Sequence, residues 1–189
     1  MKAKVLSAVD VQRLLAYAAA TADKERTIVM VLLSLRAGLR ACEISGLTWA
    51  MVTDGGGKIG QHAEITADIS KYGSARRIPL HPVLRSALTE LGRQRLPLDG
   101  PVIRSQRGGH MAPKAIVNWF TQLYRAVGLK GCSSHSGRRT FVTRGARLLS
   151  KSGGSLRDLQ QLVGHRSIVT TQGYIDGDSD AQRRLVHLL

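Results

Sequence analysis

The sequence runs to 189 residues, the size of one ordinary domain, and its 43% hydrophobic content excludes wholesale disorder. Lys and Arg total 28 against 13 acidic residues, a formal charge of +15. Self-repulsion on that scale opposes compaction, so a polyanionic partner is the simplest reason to keep it. Nucleic acid fits best, because a phosphate backbone rewards distributed positive charge through counterion release. The basic residues are scattered rather than gathered on one amphipathic helix, which argues against a membrane surface. Cys42 and Cys132 are too few for a disulfide framework or a Cys-rich zinc site, and read as reduced residues in or near the core. The opening MKAKVLSAVD lacks the apolar run of a secretory signal. The longest apolar stretch, Ile28 to Leu33, is far too short to span a bilayer. A cytoplasmic location follows as the expectation.

Along the chain, Ser7 with Asp10 reads as a helix cap, followed by Leu14, Leu15 and Ala18 at helical spacing. Thr27 to Ala37 is a strongly apolar helix that Gly38 can stop. Ala41 to Leu47 is a short helix just past that turn. Gly55 to Gly57 is a loop. His62 to Ile69 then alternates apolar and polar residues, the period of a strand. Arg76 to Leu80 follows a Lys-Tyr-Gly-Ser turn and completes a β-hairpin. Helices are expected from Pro82 to about Gly92 and from Pro113 through Val127, each opened by its proline. The last third is helical again, over His135 to Leu149 and over Ser155 to Val163, which Gly164 stops. Ser167 caps a further helix leading toward Tyr174. Asp178 to Leu189 reads as a short amphipathic helix with Leu185, Val186, Leu188 and Leu189 on its apolar side. The pattern predicts a mainly α domain with a small antiparallel sheet (α+β).

Four places carry chemistry, and each has a structural alternative. Arg40 in GLRACEISGL sits beyond an apolar helix; partly buried, it needs an anionic partner, and its planar fork suits a phosphate. An Arg40–Glu43 pair at a helix junction explains the same residues. His135 and Arg138 lie one turn apart on one helix face, able to move a proton and hold an anion; a solvated helix start is the alternative. Gly164-His165 precedes Tyr174 by about two and a half turns of continuous helix, which would set the rings on opposite faces. A break at Gly164 and the Ser167 cap allow them to converge. Lys71 lies at the hairpin tip with Arg76 and Arg77 beside it. They form either a charged turn that blunts an edge strand or a finger carrying an ammonium to DNA.

Arg40, Lys71, His135-x-x-Arg138, His165 and Tyr174 stand in that order, each on a readable element. As a set they make the sequence resemble the tyrosine recombinase (phage integrase) family. The matching segments are GLRACEISGLTW, KYGSARRIPLH, HSGRRTF and LQQLVGHRSIVTTQGYI, and the resemblance runs from about Ser7 to the end. Each motif is weak singly; their order and spacing together are specific. The resemblance implies the catalytic-domain fold of that family and site-specific DNA recombination by strand cleavage and rejoining. Tyr174 would attack a DNA phosphorus and stay linked to its 3′ side. Arg40 and Arg138 would clamp the non-bridging oxygens, and Lys71 would protonate the leaving oxygen. His135 would assist the tyrosine proton, His165 would donate a hydrogen bond to the phosphate, and Glu43 would support the site. Arg76, Arg77 and Arg139 are candidate DNA contacts. The implied partner is double-stranded DNA, with a monomer or weakly associating protein in solution and a tetramer on DNA, nucleoid-associated in the cell.

The chemistry agrees with these residue types. A phenol with a pKa of about 10 is a poor nucleophile until its proton is drawn off or the product charge is stabilised. Two arginines stabilise negative charge building on phosphoryl oxygens. Positioning and electrostatics supply most of the catalysis in phosphoryl transfer. The covalent intermediate conserves the phosphodiester bond energy, so no ATP or other cofactor is expected. No acidic cluster suited to two metals is present in the sequence, which disfavours a metal-dependent nuclease. Arg139 stands where many relatives have histidine, and Gly173 should loosen the segment around Tyr174. Relatives usually carry a separate helical domain that clamps the other face of the DNA; here the catalytic pattern begins almost at Met1, so that domain is expected to be missing from this chain, and DNA binding by the lone domain to be weak. The tail helix is expected to dock on a neighbouring subunit or on its own domain. Two other readings stay open: a type IB topoisomerase-like enzyme that relaxes DNA by the same chemistry, and a non-catalytic DNA-binding integrase remnant.

Overall fold

The computed structural model describes residues 3–174 and 186–187. Helix α1 (Ala8–Ala19) starts on a reciprocal capping box between Ser7 and Asp10. Helix α2 (Lys24–Arg36) is buried at nearly every position from Thr27 to Leu35, because α1, α4 and α6 pack around it; a helix apolar all round belongs inside. Gly38, at φ +63°, turns the chain out of α2. A side chain there would also run into Phe141. The turn delivers Arg40 as the cap of α3 (Ala41–Gly46), which packs on α5.

Strands β1 (His62–Ile65) and β2 (Arg76–Pro79) form an antiparallel pair, with Ala63 opposite Ile78 and Ile65 opposite Arg76. The expected strand to Ile69 ends early, at Ile65. Beyond it the chain bends, Ser70 Oγ donates to the Ala67 carbonyl, and Ile69 packs over Gly46 of α3. Past Ile65 the alternation therefore marks no longer ladder: Ala67 is exposed, and Ile69 is half-buried in a loop against the core. The strand connection includes a tight turn, Lys71–Gly73. Helices α4 (Pro82–Arg93) and α5 (Pro113–Ala126) each begin with proline at the first turn, where no N–H is needed.

Helix α6 (Ser136–Ser152) starts at His135, and α7 (Leu156–Val163) is capped by Ser155 and closed by Gly164 at φ +63°. Ser167 caps α8 (Ile168–Gln172). The main core gathers α1 to α5 and the sheet around α2 and Trp49. A smaller cluster of Val142, Leu159 and Val163 binds α6 to α7 and supports Tyr174. The mainly α architecture with a small antiparallel sheet is as expected. The expected tail helix over 178–189 lies outside the described residues, apart from Val186 and His187, which are helical. Among the described residues no helix is long and apolar enough to cross a membrane.

Candidate active site

Arg40, Lys71, His135, Arg138, His165 and Tyr174 come together around one cleft of about 530 Å³. They arrive from separate elements: the α2–α3 turn, the hairpin turn, the start and first turn of α6, the α7–α8 turn, and the residues after α8. His135 is exposed at the head of α6, while Arg138, one turn on, is buried.

Beneath the cleft lies Glu43, fully buried. It accepts from the Arg40 backbone N–H (2.8 Å) and from Arg40 Nη1 (3.2 Å). A bidentate pair with Arg76 completes it, at 2.8 and 3.0 Å. Burial would raise the Glu43 carboxyl, but the hydrogen bonds and charge of Arg76, with help from Arg40 and Arg138, outweigh it and hold the group below the usual range. Glu43 is therefore an anion whose job is to hold arginines.

Arg76 points inward: its side chain is only 5% exposed, and Nε donates to the Leu162 carbonyl at 3.1 Å. It therefore ties the hairpin to α3 and to the end of α7. Any Cβ at position 164 would lie 3.0 Å from the Arg76 guanidinium, a second reason for glycine there. Arg77, the next residue along the strand, faces out and pairs with Glu64 across the ladder at 2.9 Å. The two arginines that stand together in the sequence thus do different work.

Arg138 is 4% exposed. Nη1 donates to the Gly38 carbonyl and Nη2 to the Val163 carbonyl, both at 2.6 Å. Each carbonyl lies close before a cleft residue, Arg40 in one case and His165 in the other. One guanidinium therefore joins the two turns that supply those residues. Burial first, and then the charge of Arg40, bring Arg138 down to about 10, so it stays a cation at neutral pH.

His165 is held from two sides. Its carbonyl accepts from Gln160 Nε2 (2.9 Å), and its Nδ1 shares a hydrogen bond with Thr171 Oγ1 (3.0 Å), leaving Nε2 for the cleft. The ring stacks on Tyr174 with centroids 5.6 Å apart, and the Arg139 guanidinium lies 5.7 Å from the Tyr174 centroid. The break at Gly164 does bring His165 and Tyr174 together. Tyr72, Ser133 and Thr170 also line the cleft, and sequence reasoning did not single them out; nor did it find Gln160 and Thr171, whose roles depend on contacts made only in the fold.

Burial, then Arg138, Arg40 and Arg76, push the His165 imidazole down to about 4. Between that value and its ordinary 6.5 the unfolded chain takes up a proton and the folded one does not. This group therefore makes stability rise with pH across that window, and stability is lost as pH falls through it. An NMR titration of the ring nitrogens should show His165 still neutral at pH 5, and a midpoint at 6.5 or above would contradict this.

Solved structures share this architecture. XerA recombinase superposes with a TM-score of 0.75 over 97% of this chain and 62% of that one, at 23% identity. The Tn1549 transposon integrase, in complex with a circular intermediate DNA, gives 0.76 over 100% and 67%, at 20% identity. The fold is that of tyrosine recombinase catalytic domains. The chain belongs to the phage integrase family, whose model matches residues 4–180. Among curated relatives, tyrosine recombinase XerC of Mesorhizobium japonicum is 31% identical over 158 residues, 82% of this chain and 47% of that protein. XerC of Bradyrhizobium diazoefficiens is 41% identical over 86 residues, 45% of this chain and 26% of that protein. The chain spans about half or less of the length of these relatives.

Proposed function

We propose that this chain is the catalytic domain of a site-specific DNA recombinase that cleaves and rejoins strands through a 3′-phosphotyrosine at Tyr174. The observation that carries the reading is the single cleft that Arg40, Lys71, His135, Arg138, His165 and Tyr174 line together. Tyr174 attacks the phosphorus while His135 takes its proton. Arg40 and Arg138 hold the non-bridging oxygens where charge builds, and His165 Nε2 adds a hydrogen bond. Lys71 gives a proton to the departing 5′ oxygen. Glu43 keeps the arginines in place. Religation reverses these steps on a new strand and draws on the bond energy kept in the phosphotyrosine.

The partner is double-stranded DNA, which fits the charge of +15 and the integrase–DNA complexes among similar structures. Arg77 and Arg139 are the candidate backbone contacts near the cleft; Arg76, committed to Glu43, acts beneath it. In this reading residues 1–189 form one catalytic domain, the DNA is clamped from its other face by a separate domain, four protomers assemble on DNA, and the protein works at the nucleoid.

The test is a nicked duplex that loses a short strand once cut, which traps the covalent species. The expected result is a protein–DNA adduct whose protease fragment maps to Tyr174, absent in Tyr174→Phe. An adduct that persists in Tyr174→Phe, or none on any candidate site, would overturn the reading.

A further inference from the structure

The hairpin turn carries an aromatic side chain that the chemistry above leaves unused. Tyr72 is 66% exposed yet lines the cleft. Its backbone is left-handed, at φ 69° and ψ 24°, and it is the one non-glycine residue with positive φ among the described residues. Outside glycine, asparagine and aspartate that conformation is uncommon, and costly for a bulky side chain. It persists where the surroundings impose it, and such outliers gather at functional sites.

Two cations lie against its ring. Lys71 Nζ is 4.9 Å from the centroid and Arg166 Cζ 5.8 Å, both within the range where the ring quadrupole attracts a cation. Arg166 directly follows His165. The ring therefore connects the turn that supplies Lys71 to the turn that supplies His165. A lysine at an exposed tip has a flexible four-carbon stem and many rotamers. A proton donor that wanders by about 1 Å can lose on the order of a hundredfold in rate.

We propose that Tyr72 is a positioning residue for Lys71: its ring, flanked by Arg166, holds the ammonium at the cleft, and the left-handed backbone turns the ring beneath the neighbouring side chain. This rests on the reading of Lys71 as the proton donor. In that step the bond from Tyr174 to phosphorus forms as the bond to the 5′ oxygen breaks. The Lys71 proton passes to that oxygen, leaving a neutral amine and a 5′ hydroxyl.

Single-turnover cleavage of the nicked duplex, made with either oxygen or sulfur at the bridging 5′ position, tests this. A thiolate is a much weaker base and leaves without being protonated, so a fault in delivering the proton vanishes with sulfur. Tyr72→Asn removes the ring but suits a left-handed backbone, and Tyr72→Phe keeps the ring. With the full chain at saturating protein, Tyr72→Asn should cut oxygen DNA about fivefold more slowly, the size of one exposed cation–π contact. It should cut sulfur DNA at the wild-type rate, and Tyr72→Phe should match wild type on both. Lys71→Ala should be slow on oxygen and restored on sulfur. If Tyr72→Asn is wild type on oxygen, or equally slow on both while Lys71→Ala is restored, the positioning role is overturned and Lys71 keeps its part. If Lys71→Ala is not restored by sulfur, the lysine is not the donor and both ideas fall.

Discussion

Replacing Glu43 by alanine should lower the melting temperature by about 10 °C or more, from a loss of roughly 3–5 kcal/mol. The carboxylate is fully buried and is shared by Arg40 and Arg76, with the charge of Arg138 nearby. Removing it leaves guanidinium groups facing one another with no anion between them. An uncompensated buried charge costs far more than a well-made pair gains. Against a total stability of about 5–15 kcal/mol, that is a large share. The Arg76 pair also fastens the hairpin to α3 and to the end of α7, so the loss should reach Lys71 and His165 and stop DNA cleavage. Glu43→Gln keeps the shape without the charge and should fall between. Because the Glu43 carboxyl lies below its ordinary 4.5, its contribution is fully present above that pH and is lost as pH falls through the lower folded value. The gap between wild type and Glu43→Ala should therefore close in acid. Thermal melts at neutral and acid pH measure all of this; a drop under about 2 °C at neutral pH would show that the arginines are held by something else.

The main cleft residues were legible because the chemistry fixes their types and the chain fixes their order. Arg40, His135, Arg138, His165 and Tyr174 each sit at a turn or helix end that glycine, serine or capping patterns reveal. The convergence of His165 with Tyr174 followed from the helix break at Gly164, a purely local signal. Arg76 was harder. Beside Arg77 and Lys71 it looks like one more surface charge, yet strand residues alternate faces. Arg76 shares its face with Ile78 and Leu80, both buried, and Arg77 takes the other. The alternation was there to be read, but a charged residue on the core side becomes credible only once Glu43 is known to wait there. The extension of β1 to Ile69 failed for the reverse reason. Past Ile65 the alternation no longer tracks burial: Ala67 is exposed, and Ile69 is half-covered by Gly46 of α3, a contact from outside the hairpin. Tyr72 gave no signal, because its role depends on a backbone angle and on Arg166, a residue remote along the chain.

Arg138→Lys should slow DNA cleavage by about 10²–10³-fold while leaving DNA affinity within a few-fold. Charge is kept, so counterion release on binding barely changes. What is lost is the fork. In the folded protein the Arg138 guanidinium reaches two carbonyls at once, Gly38 and Val163, and still lines the cleft. A lysine ammonium is a point donor on a flexible stem and cannot bridge both turns while also meeting an oxyanion. Two consequences should separate this from the loss of a single phosphate contact. The His165 ring signals should shift in the NMR spectrum of Arg138→Lys without DNA, because the Val163 carbonyl that leads into Gly164-His165 has lost its donor. Arg40→Lys should leave those signals in place, since Arg40 bonds to Glu43 through its backbone N–H and Nη1 and so serves α3 and not the α7–α8 turn. If the two variants slow cleavage equally and neither moves His165, Arg138 acts only on the phosphate. If only Arg138→Lys moves it, one buried side chain both clamps the substrate and holds together the two turns that carry its neighbours.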